Sequence, residues 1–298
     1  MVRVPKLVLL MNLSPTRVAA AALRALPRKS LSRALGNLTR LQARGLPLET
    51  LIGWYCRAYG VDMADYVVPD GGFTTFDAFF TRELKPGVRP LDPDPATLLS
   101  PADGRVEDQG TIEANGRFRI KGSDYTLSEL LGEEDGCERF LGGQFAVIYL
   151  SPRDYHRVHA PVAGPVLRCH HVDGTLYPVN RIGVEHVPQL FAKNERVAIQ
   201  QETEQSQRVG TVLVGAIGVG RITVSFEPTL VTNGGLSWGL KVYSRDDAPV
   251  VQRGQELGMF HLGSTAILLV EPTLRLQWLR EVGQAVRMGE AVARRADG

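Results

Sequence analysis

The chain has 298 residues, of which 44% are hydrophobic and 22% charged, with a net charge of +2. This is the composition of a globular protein of one large or two modest domains, and its near-neutral charge argues against a nucleic-acid-binding protein. The three cysteines are far apart in sequence, so no disulfide framework is expected and a reducing compartment is the default. No apolar run approaches the roughly 18–20 residues that a membrane-spanning helix needs.

The first fifty residues are strongly basic, with nine Lys or Arg against one Glu. Residues 16–45 have the periodicity of an amphipathic helix. Its apolar positions are Leu31, Ala34, Leu35, Leu38 and Leu41, and its basic positions on another face are Lys29, Arg33, Arg40 and Arg44. Such a helix either lies in a membrane interface or docks on its own domain with a solvated basic face. An organelle transit peptide is a third interpretation of an Arg-rich, acid-poor N-terminus.

The pattern then changes along the chain. Residues 46–66 predict a second helix, and Phe73, Phe76, Phe79 and Phe80 give a short helix an aromatic face that docks on a core. Residues 86–101 are rich in Pro and Asp and predict an extended linker. Strands are predicted beyond it, at residues 105–106, 118–120, 145–150, 165–170, 196–200, 211–220, 221–227, 240–243 and 266–270. A helix is predicted near residues 127–131, and residues 275–298 predict a polar, frayed helical tail.

These elements predict an α+β protein in which N-terminal amphipathic helices precede a mainly antiparallel β-sandwich or barrel-like core. We expect a helical membrane-associating region at residues 1–85, a β-rich catalytic domain at residues 86–275 and a polar C-terminal tail at residues 276–298. Turn dipeptides such as Asp173-Gly174 and Asn233-Gly234 separate the strands.

Three stretches place polar groups in apolar surroundings: "PADG" at Asp103, "YHRVHAP" at His156 and His159, and "GST" at Ser264. Taken alone, Asp-Gly is typical of a type I turn and Gly-Ser-Thr of a kinked strand. An Asp, a His and a Ser together can form a nucleophilic site, because the Ser hydroxyl needs a base and the base needs orienting. No Gly-x-Ser-x-Gly elbow surrounds Ser264, which disfavours an ordinary α/β-hydrolase.

A metal site is the alternative use of the histidines. His156 and His159 lie three residues apart, and Cys169, His170 and His171 could complete a ligand set. The chain has neither an HExxH nor a CxxC pattern, so the metal interpretation is disfavoured.

Several longer strings together resemble the phosphatidylserine decarboxylases of bacteria and mitochondria. They are "SPADG", "YLSPRDYHRVHAP", "LFAKNERV", "LVGAIGVG" and "GQELGMFHLGST". The resemblance runs in order and with matching spacing from about Phe79 to Val270. It covers the expected β-rich domain, while the first fifty residues and those beyond about 275 match only in general character.

The resemblance implies a proenzyme that cuts itself at Gly263–Ser264, using Asp103, His159 and Ser264 as a charge relay. Ser264 would become a covalent pyruvoyl cofactor, whose ketone forms a Schiff base with the substrate amine and accepts electrons when CO2 departs. His156 is a candidate for delivering a proton to the carbanion or for holding the substrate carboxylate. The products would be a large chain, 1–263, and a small chain, 264–298, which stay associated and pair into a dimer.

The implied substrate is phosphatidylserine and the implied product phosphatidylethanolamine, so the implied partner is a membrane lipid surface. We therefore expect a peripheral protein on the cytoplasmic side of a bacterial cell membrane. Two other functions remain open from the residues alone: a self-cleaving serine hydrolase that does not decarboxylate, and a non-enzymatic β-domain on a membrane-binding helix. A soluble amino-acid substrate is disfavoured by the resemblance and by the basic helix.

Overall fold

The structure, a computed structural model, describes residues 28–42, 46–218, 220–234 and 237–296. Within these residues the helices are α1 (Arg28–Thr39), α2 (Leu46–Tyr59), α3 (Phe76–Phe80), α4 (Leu127–Leu131), α5 (Arg181–His186) and α6 (Leu190–Lys193). Two short 3-10 turns are Glu138–Phe140 and Pro272–Leu274. The predicted helix at residues 127–131 is confirmed. A capping box at Thr126 begins it, and Gly132 in the left-handed conformation ends it.

The strands fall into four antiparallel sheets. In chain order they are β1 (Thr97–Leu99), β2 (Gly104–Thr111), β3 (Arg117–Ile120), β4 (Ser123–Thr126), β5 (Gln144–Leu150), β6 (Arg157–His159), β7 (Gly164–Val172), β8 (Arg196–Glu202), β9 (Arg208–Gly215), β10 (Ile222–Val224), β11 (Glu227–Val231), β12 (Gly239–Val242), β13 (Val250–Val251), β14 (Glu256–Phe260), β15 (Ser264–Val270), β16 (Leu276–Trp278), β17 (Ala285–Val286) and β18 (Ala291–Arg295). The predicted α+β class with a mainly antiparallel, β-rich core is confirmed.

The largest sheet has the order β12-β7-β8-β9-β15-β5-β2-β17, with β13 paired to β7. β15 lies between β9 and β5 and is buried along its whole length. Ile267 and Leu269 belong to one hydrophobic cluster and Ala266 to another, so apolar side chains cover both faces of this strand. That burial explains the uninterrupted apolar run in the sequence.

A smaller sheet, β11-β10-β14-β6, supplies the strand that precedes β15. The chain leaves β14 at Phe260 and enters β15 at Ser264, so residues 261–263 cross from the four-stranded sheet to the nine-stranded one. The predicted run at residues 221–227 is two strands instead of one, because the chain reverses between β10 and β11.

Helix α1 faces the protein with its small residues. Ser32, Gly36 and Thr39 are buried, whereas Leu31, Leu35 and Leu38 are exposed, with Leu38 61% exposed. The helix therefore docks on its own domain as the second alternative expected, but through these small residues and not through its leucines, and the Ser32 hydroxyl accepts the Gly218 N–H. The helix ends at Thr39, earlier than predicted, and residues 40–42 continue as a turn. Residues 16–27 and 43–45 of the predicted helix lie outside the described residues.

Helices α2 and α3 form a small aromatic core. Tyr55 meets Phe79 and Phe80 in edge-to-face contacts, which confirms that the predicted aromatic face docks on a core. Leu262, just before β15, packs against the same cluster. The N-terminal helices therefore contact the crossing between the two sheets.

The expectation of a frayed helical tail is wrong. β18 pairs with β1 and β16, and β17 adds an edge strand to the large sheet beside β2. Val286 and Val292 are each 2% exposed. These strands have two to five residues, which is too short for an alternating pattern to stand out among polar neighbours.

We predict that Val292→Asp lowers the free energy of unfolding by on the order of 3 kcal/mol or more, because an unpaired carboxylate would be buried. The matched control is Val282→Asp, at a position that is 54% exposed. Thermal unfolding of both variants measures the difference. Equal midpoints for the two would contradict a packed C-terminal segment.

Candidate functional site

Ser264 is the first residue of β15 and is completely buried. Its backbone is fixed on both sides, because it pairs with Leu150 of β5 and Gly215 of β9. Its hydroxyl oxygen, however, is buried without a hydrogen-bond partner. A buried unsatisfied hydroxyl costs about 1–3 kcal/mol, which calls for a functional explanation.

Gly263 precedes this hydroxyl with φ of +50°. That left-handed conformation is open to Gly and unfavourable for residues with a Cβ. Space is not the constraint, since a Cβ built there would meet Ala216 at an ordinary 3.8 Å. The glycine therefore meets a conformational requirement at the crossing between the two sheets.

His159 ends β6, which pairs with β14. Its Nδ1 lies 2.8 Å from the Gly254 carbonyl and its Nε2 lies 3.1 Å from the Tyr155 hydroxyl. A carbonyl only accepts, so Nδ1 carries the proton and the Tyr155 hydroxyl donates to Nε2. Burial lowers the pKa of His159, outweighing the hydrogen bond to Gly254. The ring is therefore a neutral base whose lone pair on Nε2 is held by Tyr155.

Asp103 is buried in the turn before β2, and its partners differ from those that the family pattern implies. Arg89 grips it with two nitrogens, the shorter contact being 2.7 Å, and the Met288 N–H donates to it at 2.8 Å. Asp103 and His159 make no hydrogen bond with each other among the described contacts. They are neighbours nonetheless, because the His159 N–H donates to the Pro101 carbonyl.

Arg89 is a residue that sequence reasoning missed. Burial lowers the pKa of its guanidinium, but hydrogen bonds to Asp103 and Asp65 outweigh this and the net shift is upward. The signal available in the sequence was one arginine inside a Pro-rich linker that ends at "SPADG". The linker therefore does more than connect regions: it anchors the Asp103 carboxylate.

His156 is fully buried, and its Nδ1 donates to the Asp154 carbonyl at 2.8 Å. Its Nε2 therefore carries a lone pair, and that atom is buried without a partner. Burial, reinforced by Arg82, lowers the pKa of His156 to about 3. Of the two roles suggested by the sequence, holding a carboxylate needs an N–H that this tautomer does not offer at Nε2. Delivering a proton, the other role, requires that Nε2 first become protonated, which burial disfavours.

The helical region holds the loop that carries His156. Arg82 is 2% exposed and donates to the Arg153 and Asp154 carbonyls, and the Phe80 ring lies 4.1 Å from that of His156. Tyr55 donates to the Pro152 carbonyl. These contacts were not predictable from spacing, because they join segments about seventy to a hundred residues apart.

The crossing itself is held by His261. Its Nδ1 lies 2.9 Å from the Asp77 carboxylate of α3, and its Nε2 lies 3.1 Å from the Thr223 hydroxyl. His261 and Leu262 are therefore both fixed to the helical region immediately before Gly263.

Two cavities lie near these residues. One, of about 840 Å³, has Asp103, Arg89 and Tyr66 in its wall. The other, of about 410 Å³, is lined by Thr265 with apolar Val147, Val179 and Phe191. Ser264 borders neither cavity, so its hydroxyl is closed off in the intact chain.

The histidines weighed as metal ligands are dispersed. His170 bonds the Leu131 carbonyl, and the Cys169 thiol is buried. His171 clusters with Asp173 and Glu195 among the described residues. It accepts the Trp238 N–H at Nδ1 and therefore donates from Nε2 to Glu195 at 2.9 Å, so neither ring nitrogen keeps a free lone pair.

Comparisons with known proteins agree with the sequence resemblance. Residues 76–294 match the family model described as phosphatidylserine decarboxylase. The chain is 41% identical over 271 residues to a protein of Marinobacter nauticus, covering 89% of this chain and 93% of that one. It is 43% identical over 276 residues to one of Pseudomonas entomophila (90% and 94%) and 39% over 272 to one of Brevibacillus brevis (90% and 94%). All three are named phosphatidylserine decarboxylase proenzyme.

The buried state of His156 predicts an acid sensitivity. In the unfolded chain His156 takes up a proton below its usual pKa of 6.5, whereas in the folded protein it stays neutral down to about 3. Stability is therefore lost as the pH falls from 6.5 toward 3. We expect His156→Gln to lose less thermal stability than wild type between pH 7 and about pH 4.5.

The control is His170→Gln, because His170 also bonds a carbonyl through Nδ1 but is only partly buried. Unchanged acid sensitivity in His156→Gln would count against a neutral, buried imidazole at this position.

Proposed function

The chain belongs to the phosphatidylserine decarboxylase family of carboxy-lyases, and from this premise we propose that it is a self-processing proenzyme. It cuts the Gly263–Ser264 bond and then converts phosphatidylserine to phosphatidylethanolamine and CO2. The observation that carries the proposal is the Ser264 hydroxyl, which is buried and unpartnered directly after a left-handed glycine. A purely structural residue at this place would be expected to satisfy its hydroxyl.

The cleavage begins with His159. Its neutral Nε2 removes the Ser264 proton, and the oxygen attacks the Gly263 carbonyl carbon, so that an ester replaces the peptide bond. β-Elimination then breaks the bond between Cβ and the ester oxygen and leaves Gly263 as a C-terminal carboxylate. The dehydroalanine left at position 264 becomes an imine, which water hydrolyses to a ketone and ammonia. Each step uses atoms of this chain and water only.

Two hydrogen bonds of His159 bear on its role as a base. Tyr155 occupies the His159 Nε2 lone pair, so its hydroxyl has to turn away for His159 to act as a base. The Gly254 carbonyl already fixes the Nδ1–H tautomer that the step needs. The negative charge of the nearby Asp103 stabilises the imidazolium that forms, without a hydrogen bond to it.

The prosthetic group that the family implies fits the position. When formed, the pyruvoyl group would supply an electrophilic ketone that can take up the substrate amine and withdraw the electrons released with CO2. Residue 264 would hold it rigidly, because β5 and β9 pair with that residue on both sides. For His156 to deliver a proton to the carbanion, its Nε2 must first be protonated, and burial and Arg82 oppose this by lowering its pKa to about 3 in the intact chain.

The two products of the cut are expected to stay together. The small chain, 264–298, contains β15 at the centre of the large sheet and β17 at its edge, together with β16 and β18. Three of these strands pair with strands of the large chain: β15 with β5 and β9, β17 with β2, and β18 with β1. That two such pairs form a dimer is a prediction that rests only on the family resemblance.

Membrane docking is supported by apolar side chains turned away from the protein. Leu31, Leu35 and Leu38 face outward on α1, and Leu51 and Trp54 do so on α2, where Trp54 is 57% exposed. No helix among the described residues has the length and apolar content to cross a bilayer. We propose that these faces enter the interface of the cytoplasmic side of a bacterial membrane, where the substrate lies.

Replacing the nucleophile tests the self-cleavage directly. We expect Ser264→Ala to remain a single chain and to release no CO2 from phosphatidylserine, because no oxygen is left to attack Gly263. The control Ser225→Ala removes an exposed hydroxyl that bonds Glu256 and should process normally. Gel mobility and CO2 release measure both. Cleavage in Ser264→Ala would contradict the proposal.

The outward face of α1 is tested by Leu35→Gln combined with Leu38→Gln. Losing two apolar side chains from the interface should weaken vesicle binding by roughly tenfold or more, on the basis of the burial energy of leucine. Flotation with phosphatidylcholine–phosphatidylglycerol vesicles measures it. The matched control is Leu279→Gln with Val282→Gln, two exposed apolar positions outside the helical region. Removing residues 1–45 should abolish most binding, and equal flotation of all these proteins would refute the docking face.

A further inference from the structure

A cavity of about 250 Å³ lies between α1 and the turn that follows β11. Arg33 of α1 and Arg40, the residue that follows this helix, line one side, and Arg221 and Asn233 line the other. No Asp or Glu is among its lining residues within the described part of the chain. The cavity therefore gathers three positive charges without a negative one in its wall.

The hydrogen bonds of these arginines do not neutralise them. Arg33 donates to the Asn233 side-chain carbonyl at 3.3 Å, and Arg40 donates to the Gly36 carbonyl at 2.9 Å and to Asn37. Both sets of acceptors are neutral. By contrast, Lys29 on the same helix forms an ion pair with Asp173.

Arg221 is the deepest of the three. Its Nε is buried without a hydrogen-bond partner, and its NH1 lies 3.5 Å from the His261 Nδ1. That nitrogen already bonds Asp77, the carboxylate whose charge acts on Arg221, so Asp77 is engaged by His261. Burial lowers the pKa of Arg221, and the charge of Arg40 lowers it further. The like charges are thus close enough to repel each other in the empty cavity.

An anion in the cavity would offset this repulsion. Arginine forks match the oxygens of a phosphate, which accept several N–H groups at once. The same helix turns Leu31, Leu35 and Leu38 outward. A bilayer that received those leucines would place its phosphate layer beside the basic cavity.

We propose that Arg33, Arg40 and Arg221 form a phosphate-binding site for a glycerophospholipid of the bilayer, separate from the Ser264 centre. The site lies beyond the loop at residues 216–218, which separates α1 from Gly263. The proposal rests on the membrane docking of α1 and does not depend on self-cleavage. Phosphatidylglycerol, which carries no amine for decarboxylation, is therefore a suitable probe.

The test compares three single variants of the full chain. Arg40→Gln and Arg221→Gln remove cavity charges, and Arg57→Gln removes an exposed charge on α2, outside the cavity. Flotation is measured with phosphatidylcholine vesicles, with and without phosphatidylglycerol. We expect each cavity variant to lose about fivefold or more of the gain from phosphatidylglycerol, and Arg57→Gln to lose less than about twofold.

If all three variants lost the same share of the phosphatidylglycerol effect, the attraction would come from a diffuse basic surface and the proposed site would be wrong. The site would also be wrong if the cavity variants kept the full phosphatidylglycerol effect. Arg40 is exposed, so its variant remains informative if Arg221→Gln folds poorly. In a second experiment, inorganic phosphate is added without vesicles and the thermal unfolding midpoint is measured. We expect phosphate to raise the midpoint of the wild type and not that of Arg221→Gln. Such a rise without any change in vesicle binding would identify free phosphate as the ligand and overturn the lipid assignment.

Discussion

The hydroxyl of Ser264 is buried at the start of the central strand without a hydrogen-bond partner, and the surrounding structure is organised around that constraint. Strands β5 and β9 fix its backbone, so the oxygen cannot escape to solvent by a small shift. Immediately before it, the chain crosses between two sheets through a left-handed Gly263. The proposed cut therefore lies between a residue fixed by two strands and a residue whose conformation favours glycine.

The groups proposed to act on this bond are engaged elsewhere in the intact chain. Tyr155 holds the lone pair of His159, and Arg89 holds the carboxylate of Asp103. The Tyr155–His159 contact is a single hydrogen bond, which a rotation of the hydroxyl breaks. The Arg89–Asp103 contact is a buried ion pair and is harder to break. We infer that Asp103 acts at a distance through its charge, while the Gly254 carbonyl orients the imidazole. The helical region contributes by fixing His261 and Leu262 on the other side of the bond.

Much of this architecture could be predicted from local pattern. The apolar run of β15, the capping residues of α4 and the aromatic face of α3 each carry their signal within a few residues. The C-terminal strands could not be predicted, because β16 and β17 have three and two residues and gain their stability from distant partners. The outward orientation of α1 was undecided by its periodicity, since an apolar stripe fits a core and a bilayer equally well.

The site shows the same division. The motifs brought Asp103, His156, His159 and Ser264 to attention because the residues resemble a family pattern. Their partners Arg89 and Tyr155 were missed, as was the Asp77 contact with His261, because each contact depends on tertiary placement and not on spacing. The tautomers of His156 and His159 likewise follow from carbonyls that only the fold brings near.

The mass of the small chain tests the central claim most directly. The account predicts that purified wild-type protein consists of chains 1–263 and 264–298, and that the smaller one begins with a pyruvoyl group in place of Ser264. A small chain that begins with free serine would contradict the pyruvoyl chemistry and indicate plain proteolysis. An intact chain of 298 residues would contradict self-cleavage altogether.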